Sequence, residues 1–174
     1  LGSAMVEALS AQGRLEEANR LGLQIVEKNA HSESLARTLF GLLEKQHGTE
    51  EWYGLALELS GLGADSATAA TLRAFDRARR FTPGHVVYHR SGWGEGLVES
   101  LDVNARTVTV RFANGSEKEL PLTSAVETLR PLDDDDLRSM RLCRVEELAR
   151  LAAEEPATLV RLAAKMYRGE INSQ

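Results

Sequence analysis

Four consecutive aspartates, Asp133 to Asp136, are the densest run of potential ligands in the chain, and carboxylates in that number could hold a cation. A calcium loop, however, alternates its ligands with other residues and closes on a glutamate at a fixed offset, and the run does neither. At a helix start, carboxylates accept from the unpaired N–H groups and oppose the macrodipole, so the run reads as the opening of a helical part. His85 and His89 are a chelating interval apart on a helix, but on a strand they are separated by about 13 Å at roughly 3.3 Å per residue. The pattern around them is strand-like, so they do not share a metal. His31 and His47 fall at helix ends, where capping or an interaction with the C-terminal dipole is the expected role. Cys143 is the single cysteine, which excludes an internal disulfide. With no histidine beside it to activate a thiolate, it is expected as a buried helix residue. Gly92-Trp93-Gly94-Glu95-Gly96 carries the glycines of a phosphate loop, but no Lys-Ser or Lys-Thr follows and a strand comes next, so a tight turn is expected. No nucleophile, base or metal cluster remains, so no catalytic residue, metal ligand or cofactor is assigned and the function sought is binding.

For binding, Trp93 is the most informative side chain. Glycines on both sides leave a large aromatic in a turn with little local surface to bury it, and exposed tryptophans anchor interfaces. The alternative is that it caps an open end of the β-structure. A methyl-ammonium cage needs several converging aromatics, and the segment offers Tyr88, Trp93 and Phe112, with Phe112 assigned to the core.

These residues must be positioned by a segment that differs from its flanks. From Phe81 to Leu132 the apolar period is two, in a five-strand pattern, whereas before and after it the period is helical. Val86 and Tyr88 would face one way and Val87 and His89 the other. Thr107 to Phe112 is the clearest strand, with Val108, Val110 and Phe112 inward and Thr107, Thr109 and Arg111 outward. Asn114-Gly115 suggests a type I′ turn, returning Glu117 to Leu120 antiparallel. Val126 to Leu129 would supply the closing strand. The expected class is α+β: helical hairpins over residues 1–80, a small five-stranded barrel over 81–132 and C-terminal helices over 133–174. In the first part, Leu15, Ala18, Leu21 and Ile25 share a face, as do Leu35, Leu39, Leu42 and Leu43, with a break at Asn29 to Ser32. A further helix through Trp52 to Leu59 closes at Gly61-Leu62-Gly63, and Asp65 or Ser66 would cap the next, making five helices plausible. Gly13 to Ala18 looks like the inter-helix turn of a tetratricopeptide repeat, although a step of about 34 residues lands on Trp52 instead of a small residue. Pro156 is expected to start the last helix. Residues 1–5 read as the remnant of a cleaved tag and Glu170 to Gln174 as an interrupted end, so the chain is expected to be an excised fragment.

Composition narrows the partner. At 174 residues, 43% hydrophobic and 27% charged, the chain can form a core, while about fifty residues of barrel alone would be marginal and should lean on neighbouring elements. A net charge of −5 disfavours a nucleic-acid surface, and within 81–132 five Lys or Arg meet six acids. No apolar run approaches the roughly 18 residues that span a bilayer, so no membrane association is expected.

The series Gly84, Val86, His89, Gly94, Gly96, Val98, Val108, Val110, Phe112, Gly115 and Ala125 is similar to bacterial Tudor-like domains, the SH3-like barrels found at the C-terminus of UvrD-type and PcrA-type helicases and in the CarD and Mfd group. The wider layout, with Leu132 to Leu142 and Leu148 to Pro156 after the barrel, resembles N-terminal extensions fused to Gre-type transcript cleavage factors. The acidic-tipped coiled coil of that family has no counterpart here, so its cleavage activity is not carried over. The resemblance implies a cytoplasmic, non-enzymatic module of a bacterial transcription factor that binds RNA polymerase, meeting DNA or RNA only indirectly and having no small-molecule substrate. A barrel of this kind can pair a strand edge with a partner strand, with Tyr88, Arg90, Trp93 and Arg111 supplying specificity. The alternatives are a nucleic-acid-binding barrel, or a helical scaffold for a protein partner on which the barrel is structural.

Overall fold

Helical periodicity in the first part of the chain becomes five helices: α1 (Gly2–Ala11), α2 (Leu15–Lys28), α3 (Glu33–His47), α4 (Tyr53–Ser60) and α5 (Ala69–Arg79). The computed structural model describes residues 2–28 and 33–171, so His31 and the expected break at Asn29 to Ser32 lie outside the described residues. Two compact units result, Leu1–Arg79 and Arg80–Gln174.

In the helical unit α1 packs on α2, α2 on α3 and α4 on α5. Met5 and its neighbours, set apart in the sequence as tag-like, form the start of α1. The buried line of α2 runs through Ala18, Gly22 and Val26, with Leu15, Leu21 and Ile25 on its flanks. Gly22 is required there, because a Cβ would collide with the side chain of Leu39 on α3. Gly61, at φ 65°, closes α4 in the left-handed region as its sequence suggests. The start of α5 differs from expectation. Thr68 Oγ1 accepts from Thr71 N–H at 3.2 Å and Thr71 Oγ1 accepts from Thr68 N–H at 2.9 Å, a reciprocal cap that displaces Asp65 and Ser66. Ser66 Oγ instead donates to the Gly61 carbonyl at 2.7 Å. At the C-terminal end of α3, His47 rests 5.1 Å from the Trp52 ring. Burial, helped by the charge of Arg79 and opposed by Glu50 and Glu16, holds its pKa below 6.5.

The second unit contains β1 (Val86–His89), β2 (Gly94–Asp102), β3 (Thr107–Phe112), β4 (Glu117–Pro121), α6 (Leu122–Thr128), β5 (Leu129–Pro131), α7 (Leu137–Cys143), α8 (Val145–Glu154) and α9 (Pro156–Ile171). The five strands form one open antiparallel sheet in the order β4-β3-β2-β1-β5. The inner face carries Val87, Val98, Val108, Val110 and Phe112, all at most 2% exposed. A Cβ on Gly96 would lie 2.6 Å from Val110 Cγ1 and 2.8 Å from Phe112 Cδ1, so this position in β2 has room for hydrogen alone.

Three details depart from the sequence reading. Val126 to Leu129 is not one strand: Leu122, Ala125 and Leu129 are buried at helical spacing, so α6 takes residues 122–128 and β5 begins only at Leu129. The turn at Asn114-Gly115 is not type I′, because only Gly115 has positive φ, at 83°. Gly115 N–H donates to the Phe112 carbonyl at 2.9 Å and Asn114 Oδ1 accepts from Ser116 N–H at 2.9 Å, giving a type I turn with a left-handed glycine after it. Cys143, expected to be buried, is exposed at the end of α7, where the helix turns away at Arg144. Desolvation of its thiol nevertheless holds the pKa above the ordinary value, against the pull of Arg144. Pro156 does begin α9. No helix among the described residues is long and apolar enough to cross a membrane.

Gly96→Ala should therefore destabilise the second unit by about 1–3 kcal/mol, since β3 cannot retreat without breaking its ladder; chemical denaturation would read this, and a midpoint unchanged from wild type would contradict it. His47 has a lowered folded pKa, so its contribution to stability is complete above its unfolded value and declines as pH falls below it. Between about pH 7.5 and 5.5 the urea midpoint of the helical unit should drop more in wild type than in His47→Gln.

Candidate functional site

The β1–β2 hairpin determines the site. His89 pairs with Gly94 in register, so the intervening turn folds Trp93 back over the last residue of β1. Gly92 at φ 123° and Gly94 at φ 75° supply the backbone angles for that turn. The Trp93 indole stacks on the His89 imidazole with centroids 4.2 Å apart and planes 19° from parallel, and the backbone N–H of Trp93 lies 3.5 Å from His89 Nδ1. Phe112 closes the cluster from β3, 5.3 Å from the indole, and Lys118 Nζ on β4 sits 5.8 Å over the indole ring. Trp93 and His89 are half-buried. Residues from β1, the β1–β2 turn, β3 and β4 thus meet at one end of the inner face, with an aromatic stack that is shared between core and solvent.

Tyr88 and Arg111 project to the opposite face. In β1 Tyr88 pairs with Glu95 on β2 and Arg130 on β5, and Arg111 pairs with Leu97. Helix α7 covers part of this outer face. Arg138 places its guanidinium 4.6 Å from the centre of the Tyr88 ring, while Arg141 donates to the carboxylate of Glu95. Glu95 is buried, at 7% exposure, and Arg141 is its charge partner. Arg138 also donates to Asp136 from Nε at 3.0 Å and from Nη2 at 2.8 Å, and Asp136 caps α7 by accepting from Arg138 N–H at 2.9 Å. Burial pushes the Asp136 carboxyl up, but these hydrogen bonds and the charges of Arg138 and Arg130 outweigh it and hold the pKa below the ordinary value. Arg111 is exposed and pairs with Glu99 at 3.0 Å, next to the bulge in β2. Arg90 is exposed immediately after β1.

The four predicted contact residues are therefore divided. Trp93 marks one end of the inner face, Tyr88 lies under α7 on the outer face, and Arg90 and Arg111 are exposed. His89 and Lys118 join Trp93 without having been singled out for it. The signal for His89 was its position four residues before Trp93 across a glycine turn, which a hairpin turns into contact.

Three of the four aspartates have cationic partners that account for them structurally: Asp133 meets Arg80 at 2.7 Å, Asp135 meets Lys165 at 2.7 Å, and Asp136 meets Arg138. No group of three or more His, Cys, Asp or Glu side chains suited to a metal occurs among the described residues. Comparison with known proteins finds no matching family model, no similar curated protein and no similar solved structure.

The two arginine–glutamate pairs should behave differently when broken. Arg141→Ala leaves a buried carboxylate without its cation and should cost about 1–3 kcal/mol. Arg111→Ala breaks an exposed pair and should cost under about 1 kcal/mol. Denaturation midpoints of the two variants would check the ordering, and equal losses would contradict it.

Proposed function

We propose that this chain is a non-enzymatic module of a bacterial transcription factor, acting in the cytoplasm, that docks on RNA polymerase through a Tudor-like, SH3-like barrel. The observation that carries the reading is the half-exposed Trp93 stacked on His89 at the end of the β1–β2 hairpin. A tryptophan already held by an imidazole and by Phe112 loses little side-chain freedom on binding, which is what a central contact requires. The strand order β4-β3-β2-β1-β5, with a short helix between the last two strands in sequence, agrees with a small barrel of that type. The helical unit, built from neighbouring antiparallel helices, serves in this reading as a TPR-like scaffold or second interface. Because the strands are antiparallel and the sheet is open, β4 can also accept a partner strand along its edge. Tyr88, beneath Arg138, acts by fixing α7, so the direct contacts fall to Trp93 with Arg90 and Arg111 at the margin.

Binding of the chain to purified bacterial core RNA polymerase, followed by interferometry at two salt concentrations, tests this. Saturable binding is expected, with Trp93→Ala weakening it about tenfold or more. A complete absence of binding would overturn the reading. Binding to naked DNA or RNA that falls steeply with salt would favour the nucleic-acid alternative.

A further inference from the structure

β4 is one edge of the sheet, and its hydrogen-bond phase identifies the backbone groups it leaves unused. Phe112 N–H donates to the Ser116 carbonyl at 2.8 Å and Leu122 N–H to the Arg106 carbonyl at 2.8 Å. Counting by twos between these ends, the bonded pairs are Val110 with Lys118 and Val108 with Leu120. The N–H and C=O groups of Glu117 and Glu119 therefore point away from β3, along the open edge. Their side chains are exposed and share the outer face, opposite Arg111 and Thr109, whereas Lys118 between them belongs to the inner face beside Trp93. Arg111, the cation nearest in register, is taken by Glu99, so neither Glu117 nor Glu119 has an ion-pair partner among the described residues.

The edge thus presents two unused peptide units together with an acid-base-acid sequence. That sequence disfavours a second copy of the same chain. In a two-fold antiparallel pairing centred on Lys118, each Glu117 would face Glu119 of the other copy and lysine would face lysine, so every cross-strand pair would be repulsive. The complementary occupant has the opposite order. We infer that β4 takes an extended segment of a protein partner with Lys or Arg at two positions two apart, facing Glu117 and Glu119, and an Asp or Glu between them facing Lys118. The inference rests on the docking reading above and specifies the strand that would be docked.

The test uses the whole 174-residue chain, isotopically labelled, with three short peptides. One has Lys-Glu-Lys at its centre in a Thr/Val background, one has Glu-Lys-Glu, and one has the composition of the first with its lysines adjacent. The first peptide should shift the amide resonances of Glu117 and Glu119 and bind at least about tenfold more tightly than the other two, with the preference reversed in E117K/E119K. Both substitutions are on exposed positions, and the spectrum itself reports whether the variant is folded. Equal binding of the three peptides, shifts confined to residues away from β4, or a preference that survives the charge swap would overturn the inference. Polymerase binding that persists in E117K/E119K would sink the inference and leave the docking reading standing, whereas an intact peptide preference without polymerase binding would do the reverse.

Discussion

A sheet of five strands has two faces and two edges, and here α6 packs against β3, β4 and β5 while α7 covers part of the outer face. Inside, α6 connects β4 to β5 and brings Leu122 and Ala125 onto the buried side, so the connection between the edge strands also closes the core. Outside, α7 packs on β2, and the interaction that holds it there is electrostatic as much as apolar: Arg141 neutralises the buried Glu95, and Arg138 lies over Tyr88 while holding the Asp136 cap. A buried carboxylate is costly unless paired, so Glu95 makes the presence of α7 a condition for the sheet in this form. The segment that read as marginal by itself obtains its missing cover from the helix that the four aspartates introduce.

That dependence explains the distribution of roles among the aspartates. Asp136 is the cap, Asp133 joins Arg80, and Asp135 joins Lys165 on α9. Asp133 and Asp135 tie two other parts of the second unit to the start of α7, and Asp136 secures the first turn of α7 itself. Chelation would need them to converge on one ion, whereas three of them are each committed to a different cationic side chain.

Where a single periodicity governed a segment, the fold was legible in the residues. Thr107 to Phe112 alternates because one face is core and the other is not, and Gly61 and Pro156 mark helix limits through their own backbone preferences. Legibility failed where two signals overlapped. Leu122, Ala125 and Leu129 carry a helical spacing that runs into the segment Val126 to Leu129 expected to be a strand, and Val126 drew attention away from it. Asn114-Gly115 has the composition of one turn, but Phe112 and Ser116 bond in a phase that leaves room for three loop residues instead of two. In the candidate site, Trp93 could be singled out because flanking glycines isolate it. Its partners His89 and Lys118 could not, since their proximity depends on register across three strand pairings. Tyr88 looked like a surface contact because nothing local shows that Arg138, fifty residues later in sequence, returns to cover it.

The same register separates two kinds of recognition within one small sheet. At the hairpin end, recognition would come from an aromatic surface already ordered by stacking, in which affinity follows the area of indole that a partner covers. Along β4, recognition would come from backbone groups whose phase is set by the Ser116 and Leu122 bonds, and side chains only decide which strand is accepted. Charged side chains on an edge strand normally serve to keep other strands away. In β4, however, the charges alternate in sign, with the acids on one face and the lysine on the other, and an alternating edge repels a copy of itself while remaining complementary to its inverse. A guard made of a single sign would repel its own kind equally well but would attract any strand of the opposite sign, so what the alternation adds is a demand on the order of charges in the partner, which distinguishes a selective edge from a merely protected one.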